Sequence, residues 1–407
     1  MASNGKLYGL TSTYTSSTGQ NDDACLFEYD LILNKFRIVH IFDKNLYNSE
    51  IMNSGVIEAT TGKLYGAIGI YFFCYTIATE IVTMHLLNNY NASLTGELIK
   101  ASDGSLYGSI FNQTPCPATN SIGAYQGIII KINPLNNTSQ VKYIFNCDTS
   151  DGTLPTSGFI ETTAGKLIGS SAGGGGGLYN FGTIFEYNLN TNGFTKKLNL
   201  EAEAVGVFPS TFANSNNVKL YGVCYFGGSV VVPPLNYYNY SGSLFEYTPT
   251  TNTIIKLHTF NDTTGFHPKS IMKATTGDYF GISAGGVFKF NPTDNSVIMP
   301  TPPFTPTPLN AGATESLIEI CRKPFYQEFI INTFTPCIGD SFNFNVQNTN
   351  ATSKKKKKNN IVLPTQITGI LNLANVTTSD NGTYICEMVN ECGTTVTMPL
   401  TINAGCL

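Results

Sequence analysis

The sequence predicts an all-β chain in two parts: a six-bladed β-propeller of four-stranded blades over residues 1–320, and a smaller β domain over 321–407. Three observations predict it. A glycine-bounded pentapeptide recurs along the first part, each copy is accompanied by further short apolar strands, and no helix-period segment of useful length occurs.

The pentapeptide Gly-Lys-Leu-Tyr-Gly begins at Gly5 and Gly62, with relatives GSLYG at Gly104, GKLIG at Gly165, VKLYG at Val218 and GDYFG at Gly277. The last glycines of these copies are Gly9, Gly66, Gly108, Gly169, Gly222 and Gly281, spaced by 57, 42, 61, 53 and 59 residues. That period belongs to propeller blades and exceeds that of helical solenoids. An apolar strand precedes most copies: GVIEA from Gly55, GELIK from Gly96, GFIET from Gly158 and SIMKA from Ser270. A half-buried aromatic strand follows: CLFEYD from Cys25, GIIIKIN from Gly127, GTIFEYN from Gly182, GSLFEYT from Gly242 and GGVFKFN from Gly285. In repeat two the nearest candidate for this strand is EIVTMHLL from Glu80. A turn such as Asn190-Thr191-Asn192-Gly193 then leads to a fourth strand, FTKKLNL.

Four-stranded units repeated radially leave only short, protected edges. The chain starts at the second strand of a blade and supplies one spare first strand, SLIEI, at Ser316–Ile320. Pairing that strand with Lys6–Gly9 completes a sixth blade and closes the ring.

Composition narrows the function. Only 12% of residues are charged, about half the usual share. The net charge is −4, with Arg37 and Arg322 the only arginines, which argues against nucleic acid as a partner. No apolar run is long enough for a membrane span. Residues 1–30 hold no signal-peptide core, so an exported chain would be a mature form or a fragment of a larger surface assembly. The ten cysteines show no Cys-x-x-Cys spacing and the four histidines are scattered, so no metal or cofactor is expected. Thr- and Asn-rich strands with low charge favour an oxidising extracellular setting and some disulfides, against the alternative of buried thiols.

The run GKLYG, GTIFEY and Asn-x-x-Thr/Asn resembles the Kelch-like propeller repeats of exported, cell-surface bacterial proteins of the Bacteroidetes type, over about residues 4–320. The resemblance implies fold and extracellular location rather than chemistry. In the second part, Asp380-Asn-Gly382-Thr-Tyr384-Ile-Cys386 is similar to the strand-F signature of immunoglobulin-like sandwiches, with Tyr384 at the tyrosine-corner position. Bacterial surface versions of that domain carry Cys-x-Gly and a later Cys-Gly, matched here by Cys337-x-Gly339 and Cys392-Gly393. The resemblance thus implies a Cys337–Cys392 bridge with Cys386 as a buried thiol; Cys337–Cys386 is the alternative. The usual strand-C Trp is absent, and Lys354–Lys358 stands there instead. That run reads as an exposed, distorted edge, as a solvated polycation for surface contact, or as residues foreign to the natural sequence.

No catalytic constellation emerges. Two separated arginines cannot form a sialidase clamp. Asp148-x-x-Asp151-Gly152 lacks the spacing of a calcium loop and reads as a turn. Gly173–Gly177 is not followed by the Lys and helix of a phosphate loop. Glu28, Glu186 and Glu246 recur with the repeat and read as outward strand positions. Length variation concentrates instead in the second-to-third strand loops, about Thr11–Ala24, Ser109–Gln126, Ser170–Phe181 and Cys224–Ser241, all on one rim. The last of these holds two prolines with Tyr237, Tyr238 and Tyr240, the expected ligand anchors, although packing against a neighbouring blade would also explain the tyrosines. A second disulfide, Cys116–Cys147, would join a rim loop to the following blade connection. Together these readings describe a non-enzymatic extracellular module, an adhesion or surface-filament component binding a glycan or protein through one rim. The alternative is a secreted carbohydrate-active hydrolase or lyase using the central pocket.

Overall fold

In the computed structural model five of the six pentapeptide copies lead into or lie on the second strand of an antiparallel sheet, and the copy at Gly5 leads into Leu7–Tyr14, the first described strand of its sheet. The structure describes residues 1–14, 23–47, 55–87, 92–115, 125–146, 150–155, 158–163, 165–174, 182–200, 205–215, 218–227, 242–261, 263–299, 325–326, 331–346, 348–349, 351–364, 370–390 and 393–405. The chain divides into two units, Met1–Ile318 and Glu319–Leu407.

In the first unit, sheets follow one another in chain order, giving an all-β, propeller-like repeat. The first sheet has three described strands, Leu7–Tyr14, Asp23–Asp30 and Lys35–Phe42. The second is Ile57–Thr60, Lys63–Ile68, Tyr71–Thr76 and Ile81–Leu86. In the third and fourth, the first-strand position is split in two: Ala92–Leu94 with Ile99–Lys100, and Thr153–Pro155 with Ile160–Thr163. The fifth runs Val207–Ser215, Lys219–Phe226, Ser243–Thr248, Thr253–Thr259, and the sixth Ser270–Lys273, Tyr279–Ser283, Gly286–Asn291, Ser296–Ile298.

Two expectations need correction. In repeat two the aromatic third strand is Tyr71–Thr76, and Ile81–Leu86 is the fourth, because a tight turn at Gly69 (φ 53°) replaces the long loop. The rim loops are also shorter than expected, since ladder pairing continues into them: Leu7–Tyr14 pairs as far as Tyr14, and Leu106–Pro115 as far as Pro115.

The two glycines of the pentapeptide have different causes. The first sits in the left-handed region (φ 77° at Gly62, 84° at Gly165), where it turns the hairpin from the first strand into the second. The last lies directly opposite an aromatic ring: Gly9 faces Phe27, Gly66 Phe73, Gly169 Phe185, Gly222 Phe245 and Gly281 Phe288. A Cβ there would lie 2.1–2.7 Å from the ring, well inside van der Waals contact. In the third sheet Ile130 stands opposite Gly108, and Leu94 and Leu98 fill the space instead.

Both faces of the second to fifth sheets are covered. Ile184 joins a core with fifth-sheet residues Leu220 and Phe245, while its neighbour Phe185 joins one with third-sheet residues Tyr107 and Ile129. The same sharing links each consecutive pair of sheets from first to sixth. This explains why the strands read as near-continuous apolar runs rather than strict alternations. Polar clamps add to it: the Ser3 N–H and hydroxyl donate to the Glu58 carboxylate at 2.7 and 2.5 Å, and Ser102 does the same to Glu161 at 2.8 and 2.6 Å. Each glutamate also accepts the N–H of its hairpin glycine, Gly62 or Gly165, at 2.6 Å.

The recurring glutamates are held in ion pairs: Lys6–Glu28 at 2.6 Å, Lys166–Glu186 at 3.4 Å and Lys219–Glu246 at 2.9 Å. In the sixth sheet the polarity reverses, with Asp278 just before the second strand and Lys289 on the third, 3.0 Å apart. Glu28 is nearly buried, which alone would raise its pKa; hydrogen bonds from Lys6, Tyr8 and Arg37 outweigh this and lower it to about 2.

The third-to-fourth turns place Asn34, Asn137, Asn192, Asn252 and Asn295 at φ 53–58°, a region Asn tolerates well. In the fourth and fifth sheets a strand-three tyrosine donates to this Asn, Tyr187 to Asn192 at 3.1 Å and Tyr247 to Asn252 at 3.0 Å. In the second sheet Glu80 takes the position (φ 57°) and accepts from Arg37, leaving the buried Tyr75 hydroxyl without a hydrogen-bond partner among the described residues.

The second unit is also all-β. Its main sheet runs Thr333–Phe334, Leu400–Ile402, Gly382–Asn390, Ser353–Lys358, Ile361–Val362, with Gly393–Val396 paired to Gly382–Asn390. Phe342–Asn345 pairs with Ile370–Leu373. Leu371, Tyr384, Leu400 and Ile402 form the core with Phe334, Phe342 and Phe344. The lysine run is a strand paired along its length with Gly382–Asn390, and at Lys357 and Lys358 also with Ile361–Val362. Lys356, opposite Cys386, is 3% exposed, and burial lowers its pKa.

Two substitutions test the repeat. Gly222→Ala should cost about 1–3 kcal/mol in urea unfolding, because its Cβ would meet Phe245 at 2.4 Å. Adding Phe245→Leu should then cost less than the sum of the two single changes. Glu80→Asn should stabilise by about 1 kcal/mol, by easing the left-handed turn and giving Tyr75 its partner; an unchanged or lower midpoint would contradict the turn rule.

Candidate binding rim

The fourth, fifth and sixth sheets enter through one backbone motif, Gly-x-x-Pro: Gly152-Thr153-Leu154-Pro155, Gly206-Val207-Phe208-Pro209 and Gly265-Phe266-His267-Pro268. The glycines have φ of 105°, 122° and 86°. The residue before each proline, Leu154, Phe208 or His267, is also left-handed, at 54°, 56° and 49°. A bulky side chain in that region is uncommon, and persists only where surrounding structure holds it. Here it is held. A Cβ on Gly152, Gly206 or Gly265 would meet Ser171, Cys224 or Ser283 at 2.1–2.8 Å. The Thr183 hydroxyl donates to the Asp151 carbonyl at 3.1 Å, and Ser243 makes the equivalent bond to the Val205 carbonyl.

The strain presents an aromatic cluster at the end of the fifth and sixth sheets. Phe208 is 43% exposed and Phe266 36%. His267 stacks on Tyr225, ring centroids 4.6 Å apart and 15° from parallel, and meets Phe226 edge-on at 5.1 Å. Phe208 packs edge-on to Phe226 at 5.7 Å. The His267 Nδ1 lies 3.1 Å from the Tyr225 carbonyl, which can only accept, so Nδ1 donates to it. Flat apolar faces with polar edges suit stacking against a sugar ring or a protein side chain.

Tyr237, Tyr238 and Tyr240 lie outside the described residues, as do Cys116, Cys147 and Cys392. The strand Lys219–Phe226 that leads into the tyrosine loop ends on Tyr225 and Phe226, both in the cluster. Cys25, Cys74, Cys224 and Cys386 are buried free thiols, so Cys337–Cys386 does not form; Cys337 is disulfide-bonded. Asp151 accepts from the Tyr143 hydroxyl and the Asn146 N–H, which is a turn role. Among the described residues no three His, Cys, Asp or Glu side chains gather as a metal-holding group, and no helix is long and apolar enough to cross a membrane.

Residues 69–291, more than half of the chain, match the family described as the Gloeobacter/Verrucomicrobia repeat. No curated protein matches the chain. Among solved structures, similarity extends to a gluconolactonase from Xanthomonas campestris (12% identity, 59% of this chain and 73% of that one, TM-score 0.36). It extends also to the tricorn protease (11%, 97% and 35%, 0.35) and to extracellular domains 3–5 of Drosophila OTK (12%, 70% and 72%, 0.22). Likenesses this distant say nothing about activity.

Proposed function

Since the chain belongs to the Gloeobacter/Verrucomicrobia repeat family, we propose that it is a non-enzymatic, extracellular cell-surface module that binds a glycan or protein partner through the rim of a closed six-bladed propeller. An immunoglobulin-like domain follows it. The observation that carries the reading is the aromatic cluster of Phe208, Phe266, Tyr225, Phe226 and His267 at two strained corners, with Phe208 and Phe266 exposed. Strained backbone held by its surroundings concentrates at functional sites, and preorganised aromatic side chains lose little entropy on binding. Tyr237, Tyr238 and Tyr240 extend the same rim in this reading.

Closure is supported by the first sheet, where Leu7–Tyr14 is an edge strand among the described residues, whereas its counterparts in the other sheets are paired on both sides. Ser316–Ile320, outside the described residues, would fill that edge. The immunoglobulin-like assignment is supported by Tyr384, whose hydroxyl donates to the Asp380 carbonyl at 2.7 Å, the bond of a tyrosine corner.

A chain ending at Thr314 should lose cooperative unfolding of the propeller, because blade one keeps an open edge; an unchanged melting curve would refute closure. For the rim, the double variant Phe208→Gly, Phe266→Ala should lose at least about tenfold in affinity on an array of bacterial and host polysaccharides and on immobilised cells. Its melting temperature should hold, since glycine relieves the left-handed strain at an exposed position. Lowered stability with binding intact, or release of reducing sugars from the same polysaccharides, would reject the reading.

A further inference from the structure

Cys337 is disulfide-bonded, and the free thiol of Cys386 excludes the partner nearest in the core. The backbone around Cys337 narrows the choice. Thr333–Phe334 runs parallel to Leu400–Ile402, with Thr333 opposite Thr401 and Phe334 opposite Ile402. The pairing extends beyond the strands in both directions. Thr401 N–H donates to the Asn332 carbonyl at 2.7 Å, Asn403 N–H to Phe334 at 2.9 Å, and Gly405 N–H to Pro336 at 3.3 Å. The two segments advance side by side as far as Pro336 and Gly405, and in the sequence the next residue on each is a cysteine, Cys337 and, outside the described residues, Cys406.

We propose that Cys337 is bridged to Cys406, a covalent clasp between the first and last strands of the main sheet in the second unit. Continued in this register, Cys337 stands across from Gly405 and Cys406 would follow one residue on; a strand spacing of about 4.8 Å and a rise of about 3.3 Å would leave the two Cα atoms about 6 Å apart, inside the roughly 4.4–6.8 Å a disulfide spans. Cys392 is excluded by the register. Its flanking residues Asn390 and Gly393 pair with each other at one end of Gly382–Asn390, whereas Ile402 pairs with Gly382 at the other. Nine extended residues separate those ends by about 27 Å. The clasp encloses roughly 70 residues and so nearly all of the unit's core. It does not depend on the rim reading.

Closure takes two protons and two electrons from the thiol pair. One thiolate attacks a small-molecule or protein disulfide, the second displaces the mixed disulfide so formed, and the oxidant leaves as two thiols. The test is peptide mapping of the unreduced full chain after its thiols are blocked, using chymotryptic cleavage after Leu400 to separate Cys406 from Cys392. The expected result is a Cys337 peptide joined to a Cys406 peptide and released by reductant. In parallel, Cys406→Ser should expose one new alkylatable thiol at Cys337, and Cys392→Ser should leave Cys337 blocked. A Cys337 peptide joined to any other cysteine, or Cys406 alkylated in the native chain, overturns the proposal.

Discussion

The contact on which the repeat turns is a glycine with a phenylalanine ring laid over it. In five sheets the last glycine of the pentapeptide stands directly across the ladder from a ring, so close that no side chain fits between them. The ring shields a backbone position that would otherwise weaken the strand, and the missing Cβ lets the ring lie flat against the sheet. That flat placement helps successive sheets share a core: Phe73, Phe185, Phe245 and Phe288 each belong to a cluster spanning two sheets. The third sheet satisfies the same need differently, with Leu94 and Leu98 over Gly108.

Much of this architecture is legible in the chain because it is written repeatedly. The pentapeptide fixes the second strand, and the FEY-type segment fixes the third. Where a copy degenerates, as in YFFCYT, the pattern fails and the strand is misplaced by one position in the order. The rim loops read longer in the sequence than they are for a related reason. Residues such as Asn112 to Pro115 carry no strong strand signal, and only a partner across the ladder makes them extended.

The rim is less legible. Aromatic content drew attention to the tyrosine loop, but the corners that hold Phe208 and His267 depend on backbone angles that composition does not report. A signal was available: Gly-x-x-Pro at Gly152, Gly206 and Gly265 repeats with the blade, and no turn type demands a bulky residue before its proline. The cysteine pairing was hidden for a different reason. It depends on a parallel contact between segments some 70 residues apart, which local spacing cannot encode.

The reversed ion pair of the sixth sheet bears on how such a chain can be rearranged by its gene. Lys6 with Glu28 and Asp278 with Lys289 are equivalent pairs of opposite polarity, each joining the residue just before Leu7–Tyr14 or Tyr279–Ser283 to the strand that follows it in the hairpin. Unequal crossing-over that exchanges a whole hairpin keeps every pair matched. A crossover falling between those strands sets cation beside cation, or carboxylate beside carboxylate, at diagonal positions of the hairpin, which destabilises it. The hairpin, and not the single strand, is therefore the smallest piece that repeats of opposite polarity can trade without loss.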